Sequence, residues 1–75
     1  MNRPHPIVAA LARIRVLCRR SQTAVGNAIF AYQHAVSRWE NGKREPTLSQ
    51  VDAYARQFGL RLALIPLETP DGRKP

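Results

Sequence analysis

The run SQTAVGNAIFAYQHAVSRWENG, residues 21–42, decides how the rest of the chain is read. Ser21 suits a helix N-cap, because its hydroxyl can accept from a backbone N–H two or three residues on. Gln22 then opens a short helix that directs Val25, Ala28 and Ile29 inward. Ala31 and Tyr32 form a turn. A further helix runs from about Gln33 to Asn41, with Val36 and Trp39 three residues apart on its buried side. Gly42 can take the left-handed backbone that stops a helix. Those inward positions leave Gln33, His34, Ser37 and Arg38 facing outward. Two short helices across a tight turn, the second bearing amides and an arginine on its outer face, describe a helix-turn-helix.

Upstream, Pro6 suits the first turn of a preceding helix. Ile7, Ala10, Leu11, Ile14, Leu17 and Cys18 follow the i, i+3, i+4 rhythm of a buried stripe, which makes Cys18 a small core residue. Arg13, Arg15, Arg19 and Arg20 lie largely off that stripe. Downstream, KREPT is a loop, and Thr47 with Gln50 makes a capping box for a fourth helix. Its apolar face is Leu48, Val51, Tyr54, Ala55 and Phe58, and Gly59 closes it. The period then changes. LRLALIP places Leu60, Leu62 and Leu64 on one side of an extended segment, with Arg61, Ala63 and Ile65 on the other. This is the one strand signal in the chain, and a solitary strand must find a partner for its backbone groups.

The chain has 75 residues, with 12 Lys and Arg against 5 Asp and Glu, a net charge of +7. Ten of the 12 are Arg, the side chain best matched to phosphate and guanine. The balance favours a polyanionic partner, nucleic acid before an acidic membrane surface. A domain this small buries only about 60 % of its unfolded surface, which weighs against an enclosed substrate site and hence an enzyme. Ser37 lacks the makings of a nucleophile, since His34 is three residues away with no orienting carboxylate evident. The single Cys18 allows no internal disulfide and holds no zinc alone; His34 has no His or Cys neighbour, so neither metal nor cofactor is expected. His5 sits in an N-terminal arm with no evident chemistry. No run approaches the ~20 apolar residues of a membrane span, and Ile7–Ala12 lacks the features of a secretory signal. The expected location is cytoplasmic.

An α-helix fits the major groove of B-DNA, where amides read adenine and Arg reads guanine, and its N-terminal residues come closest to the base edges. Lys43 and Arg44 follow where a loop would grip phosphates, with Asn41 a helper at the helix end. The stretch SQTAVGNAIFAYQHAVSRWENGKREPTLSQVDAYARQFG, residues 21–59, resembles the helix-turn-helix of the Xre family, which includes the lambdoid phage repressors and Cro proteins. The opening SQ, the closing VSRWENG and the proline before a hydrophobic fourth helix carry the likeness. The resemblance implies that Gln22 binds a DNA phosphate and braces the recognition helix. It implies that Gln33 and His34 are the first base-reading positions and Ser37 and Arg38 the next turn. It further implies a partly buried ion pair between Arg15 and Glu40. Two departures stand out. Phe30 occupies a turn position where the family usually has glycine, at about 1–2 kcal/mol if left-handed, and Gly26 replaces an alanine at about 1 kcal/mol of helix propensity. The ending GLRLALIP is similar to HipB-like antitoxins, in which a C-terminal strand pairs with its twofold mate.

These readings give an all-α fold: a compact four-helix repressor-like domain with a C-terminal β-strand pairing across a dimer. Residues 1–5 are a flexible arm, 6–59 the helix-turn-helix domain, 60–65 a dimerisation strand acting through Leu60, Leu62 and Leu64, and 66–75 a flexible tail. The expected function is a homodimeric, sequence-specific repressor on an inverted repeat of double-stranded DNA, not an enzyme. One version is the autoregulating antitoxin of a HipBA-like pair, whose further partner is a toxin kinase. The alternatives are a phage or chromosomal regulator without a toxin, and a protein-interaction module.

Overall fold

The computed structural model of the chain describes residues 3–67, which form four helices: α1 (Pro6–Leu17), α2 (Gln22–Ala28), α3 (Gln33–Glu40) and α4 (Leu48–Arg56). Three of the four starts have a side-chain cap. His5 caps α1 by accepting the Ile7 N–H on Nδ1 at 3.1 Å, and Pro6 follows at the first position. The Ser21 hydroxyl accepts the Ala24 N–H at 3.0 Å. Thr47 and Gln50 close a reciprocal capping box with bonds of 2.8 and 3.1 Å, so two otherwise orphan donors are satisfied. None of these helices is long and apolar enough to cross a membrane.

The core is Val8 and Leu11 of α1, Val25 of α2, Val36 and Trp39 of α3, and Val51, Tyr54 and Ala55 of α4. Ile29, Ala31, Ala35, Phe58 and Leu62 pack around it. Three sequence expectations are corrected. Ile7, Leu17 and Cys18 are exposed, because α1 turns the stripe Val8–Leu11–Arg15 inward, with Ile14 half-buried at its edge. Leu48 is exposed as well, since it sits at the first position of α4, beyond the edge of the core. Ala28 also faces solvent.

No strand forms among the described residues. Residues 60–67 are irregular, as a single chain must leave them when it offers no second strand to pair with. Among the described residues, the ties to this segment fall at its start. The Leu60 N–H donates to the Ala55 carbonyl at 3.1 Å, and the Leu62 N–H donates to Asp52 Oδ1 at 3.0 Å. Leu62 packs on the core, whereas Leu60, Leu64, Ile65 and Leu67 are exposed. The expected tail from residue 68 onward, and the first two residues of the expected N-terminal arm, lie outside the described residues. Arg3 and Pro4 run past the end of α3, where a Cβ on Gly42 would fall 2.6 Å from the Arg3 carbonyl carbon. Gly42 therefore combines a left-handed φ of 73° with a close backbone crossing.

The α2–α3 turn explains both departures noted above. Phe30 adopts φ 58°, the left-handed conformation that glycine would take, and the residue is 98 % exposed. The turn folds so tightly that the Ala31 N–H donates to the Gly26 carbonyl at 2.7 Å, and a Cβ on Gly26 would meet the Ala31 oxygen at 2.7 Å. Gly26→Ala gains about 1 kcal/mol of helix propensity but must displace a backbone carbonyl, and overpacking of this kind typically costs about 1–3 kcal/mol. Its urea midpoint is expected to fall, with a net loss of about 1 kcal/mol. Phe30→Gly removes left-handed strain without emptying any core space, and the same titration is expected to show a gain of up to about 1 kcal/mol.

Candidate nucleic-acid interface

The site is organised by one carboxylate. Glu40, at the end of α3, accepts Arg15 Nε on Oε2 and Arg15 Nη2 on Oε1, both at 2.8 Å. The Tyr54 hydroxyl donates to Oε2 at 2.6 Å, and Gln22 Nε2 donates to Oε1 at 3.0 Å. One residue from each of the other three helices thus converges on α3. Arg15 and Glu40 side chains are only 13 % and 8 % exposed, and Arg15 Nη1 also donates to the Arg20 carbonyl at 2.9 Å, fixing the α1–α2 corner. Burial alone would push the Glu40 carboxyl up, but hydrogen bonds from Arg15, Tyr54 and Gln22 outweigh it and hold the group below its ordinary value of 4.5. The hydrogen bond to Glu40 in turn raises Arg15. Burial, then the Glu40 contact, pushes the Tyr54 hydroxyl above its ordinary 10.0, so it remains a donor.

This cluster connects to the outer face of α3. Gln33 Nε2 donates to Gln22 Oε1 at 3.3 Å, so Gln22 lies between Glu40 and the first residue of α3. Gln33, His34 and Arg38 are exposed on the side away from Val36 and Trp39. Ser37 is half-buried and its hydroxyl accepts from Asn41 Nδ2 at 3.3 Å. Lys43 and Arg44 are exposed just beyond the helix. Their backbone N–H groups donate to the Arg38 carbonyl at 2.9 and 3.3 Å, which seats the loop against the end of α3. The structure therefore gathers Gln22, Gln33, His34, Ser37, Arg38, Asn41, Lys43 and Arg44 around one helix. Leu60, Leu62 and Leu64 belong to the separate C-terminal segment.

Sequence reasoning missed three contributors. Tyr54 read only as an apolar residue of α4, although its hydroxyl reaches Glu40. Asp52 anchors the C-terminal segment, with its carboxyl held below the ordinary value by the Leu62 N–H and then by Arg56. Tyr32 stacks on His34, with ring centroids 5.4 Å apart and planes 5° from parallel. Spacing signals none of these contacts: Tyr54 and Asp52 reach partners 14 and 10 residues away, and residues two apart do not ordinarily face each other on a helix.

A chain of four helices with a short α2–α3 corner, a buried Arg–Glu tie and an exposed polar third helix defines a helix-turn-helix protein. Residues 33–65 match a family model described as helix-turn-helix. Over 68 residues the chain is 37 % identical to antitoxin HigA1 of Mycobacterium tuberculosis, in strain CDC 1551 / Oshkosh and in strain ATCC 25618 / H37Rv. Each alignment covers 91 % of this chain and 45 % of the relative, so the chain spans less than half the length of the curated relatives it matches. No solved structure matches it. Both likenesses support reading the chain as an Xre-like helix-turn-helix protein.

The Glu40 cluster predicts a definite pH response. Because folding lowers the carboxyl's pKa, its stabilisation is complete at neutral pH, begins to fade near the ordinary value of 4.5, and is lost as pH falls through the lower folded value. Glu40→Gln leaves Arg15 unpaired in a mostly buried position, a kind of change that costs roughly 3–5 kcal/mol. Urea denaturation across a pH series is expected to show that loss at pH 7, with a flatter acid limb than the parent chain.

Proposed function

We propose that the chain is a sequence-specific double-stranded DNA-binding transcriptional repressor that acts as a homodimer on an inverted repeat. The observation that carries this reading is α3 itself. Its inward side holds Val36 and Trp39 in the core, its outward side offers Gln33, His34 and Arg38, and its orientation is braced through Gln22 and Glu40. A helix presenting amides, an imidazole and a guanidinium can enter the major groove and read base edges there. In this reading Gln22, Asn41, Lys43 and Arg44 hold phosphates, and Ser37 lies at the edge of the readout. Repression follows from occupying a promoter and needs no cofactor.

The C-terminal segment supplies the dimer. Leu62 lines an open apolar groove with Ile7, Val8, Leu48 and Val51, and Leu64 stands fully exposed two residues on. Antiparallel pairing of residues 60–65 with the same residues of a second copy satisfies both backbones and lays the leucines over the two grooves. Two copies are required because one domain reads about one half-site, and half-sites repeat every ~34 Å along one side of the duplex. The residue divisions proposed are an arm over 1–5, the DNA-binding domain over 6–59, the strand over 60–65 and a tail over 66–75.

The likeness to HigA1 antitoxins supports a second role, as an antitoxin that also binds a toxin and regulates its own promoter. A HipB-like pairing makes that toxin a kinase. Co-purification of the chain with the product of the adjacent gene tests this role.

Gln33→Ala or Arg38→Ala is expected to cost roughly 1–3 kcal/mol on the selected site and to relax preference at one base pair. Lys43→Ala or Arg44→Ala is expected to weaken all duplexes alike and reduce the salt slope by about 1. Selection from random duplexes, with affinities measured across a salt series, separates the two groups; identical sequence preferences in all four variants would remove α3 from readout. Ending the chain after Ala63 preserves the Asp52–Leu62 bond and is expected to yield a folded monomer in sedimentation equilibrium.

A further inference from the structure

Stability alone does not account for Tyr32. It is the N-cap of α3, yet its side chain makes no capping hydrogen bond. Ser, Thr, Asp or Asn at that position would satisfy one of the helix's free N–H groups. The residue is 75 % exposed, so it is not there to fill the core. What it does contact is His34. The two rings lie parallel within 5° at a centroid separation of 5.4 Å, inside the range of offset-stacked aromatic pairs.

The contrast with Gln33 is informative. Gln33 is fixed from within by a hydrogen bond to Gln22, part of the network centred on Glu40. Among the described residues His34 has no comparable polar tether, and an exposed imidazole on a first helical turn can rotate about χ1 and χ2. Tyr32 closes one side of that freedom. The N-terminal end of α3 thus presents two side chains, each held by a different means.

We propose that Tyr32 is a positioning residue for His34, setting the plane of the imidazole so that its edge meets one base pair. The inference rests on the base-reading role given to His34 above. The flat ring does this work and the phenolic hydroxyl does not, so Tyr32→Phe retains the function and Tyr32→Ala loses it.

The test is selection of binding sites from random duplexes by the full chain and by Tyr32→Ala, Tyr32→Phe and His34→Ala, with unfolding midpoints measured for each. His34→Ala is expected to flatten preference at one base pair. Tyr32→Ala is expected to weaken preference at that same base pair by about two- to tenfold, the span that corresponds to the usual strength of an aromatic stack. Tyr32→Phe restores it, and the midpoints stay together. If His34→Ala flattens a base pair that Tyr32→Ala leaves intact, the positioning role is overturned while the readout by His34 stands. If His34→Ala changes no preference, both are overturned. A uniform loss with a shallower salt slope in both Tyr32 variants identifies a phosphate contact through the hydroxyl and also overturns the proposal.

Discussion

The Glu40 carboxylate is the point on which the arrangement of the helices depends. It draws in a guanidinium from α1, an amide from α2 and a phenol from α4. A mostly buried charge is tolerated only when it is paired and its remaining lone pairs are satisfied. Both oxygens of Glu40 accept two hydrogen bonds each, and no buried polar side-chain atom among the described residues lacks a partner. Such a pair adds little net stability over an apolar replacement of the same shape. What it imposes is geometry, because the three groups can meet the carboxylate together in few arrangements of the helices.

That constraint also governs α1. To deliver Arg15 to Glu40, the helix must turn Val8, Leu11 and Arg15 toward the core, and Leu17 and Cys18 are carried out to solvent. The α2–α3 corner obeys a second constraint of comparable stringency. Exchanging side-chain volume between positions 26 and 30 puts the missing Cβ where the backbones cross and the bulky ring where there is only water. The cost is left-handed strain at Phe30, in a turn that keeps Gly26 packed against Ala31.

Much of this fold can be read from residue types at short range. The helix starts at Pro6, Gln22 and Leu48 follow from proline, serine and threonine chemistry, and the end of α3 follows from Gly42. The all-α class follows with them. What short-range pattern cannot reveal is a polar residue within a buried stripe: Arg15 interrupts the apolar rhythm of α1, so periodicity selected the neighbouring stripe through Leu17. The same blindness hid the Tyr54 hydroxyl, whose partner is 14 residues away, and the Asp52 tie to Leu62. Arg15 and Glu40, 25 residues apart, were linked only through the family resemblance. The alternation in residues 60–65 is real in the sequence, but alternation states a capacity for pairing and cannot supply the second strand. The candidate interface was legible to the extent that outward positions of α3 follow from inward ones, although Ser37 proved half-buried.

The line of groups running from Glu40 through Gln22 to Gln33 has a direction. An ionised carboxylate can only accept, so Gln22 must turn its NH2 toward Glu40. Its oxygen then points the other way and can be met only by a donor, which forces Gln33 to present its own NH2 inward. One N–H of Gln33 is spent on that contact, and its carbonyl oxygen is left as the acceptor end of the amide. An amide is ordinarily ambivalent, since rotating it by half a turn exchanges donor for acceptor at almost no steric cost. Here that ambivalence is removed two links back along the relay: a single negative charge in the interior writes its sign along it, and Gln33 meets its surroundings with donor and acceptor already assigned.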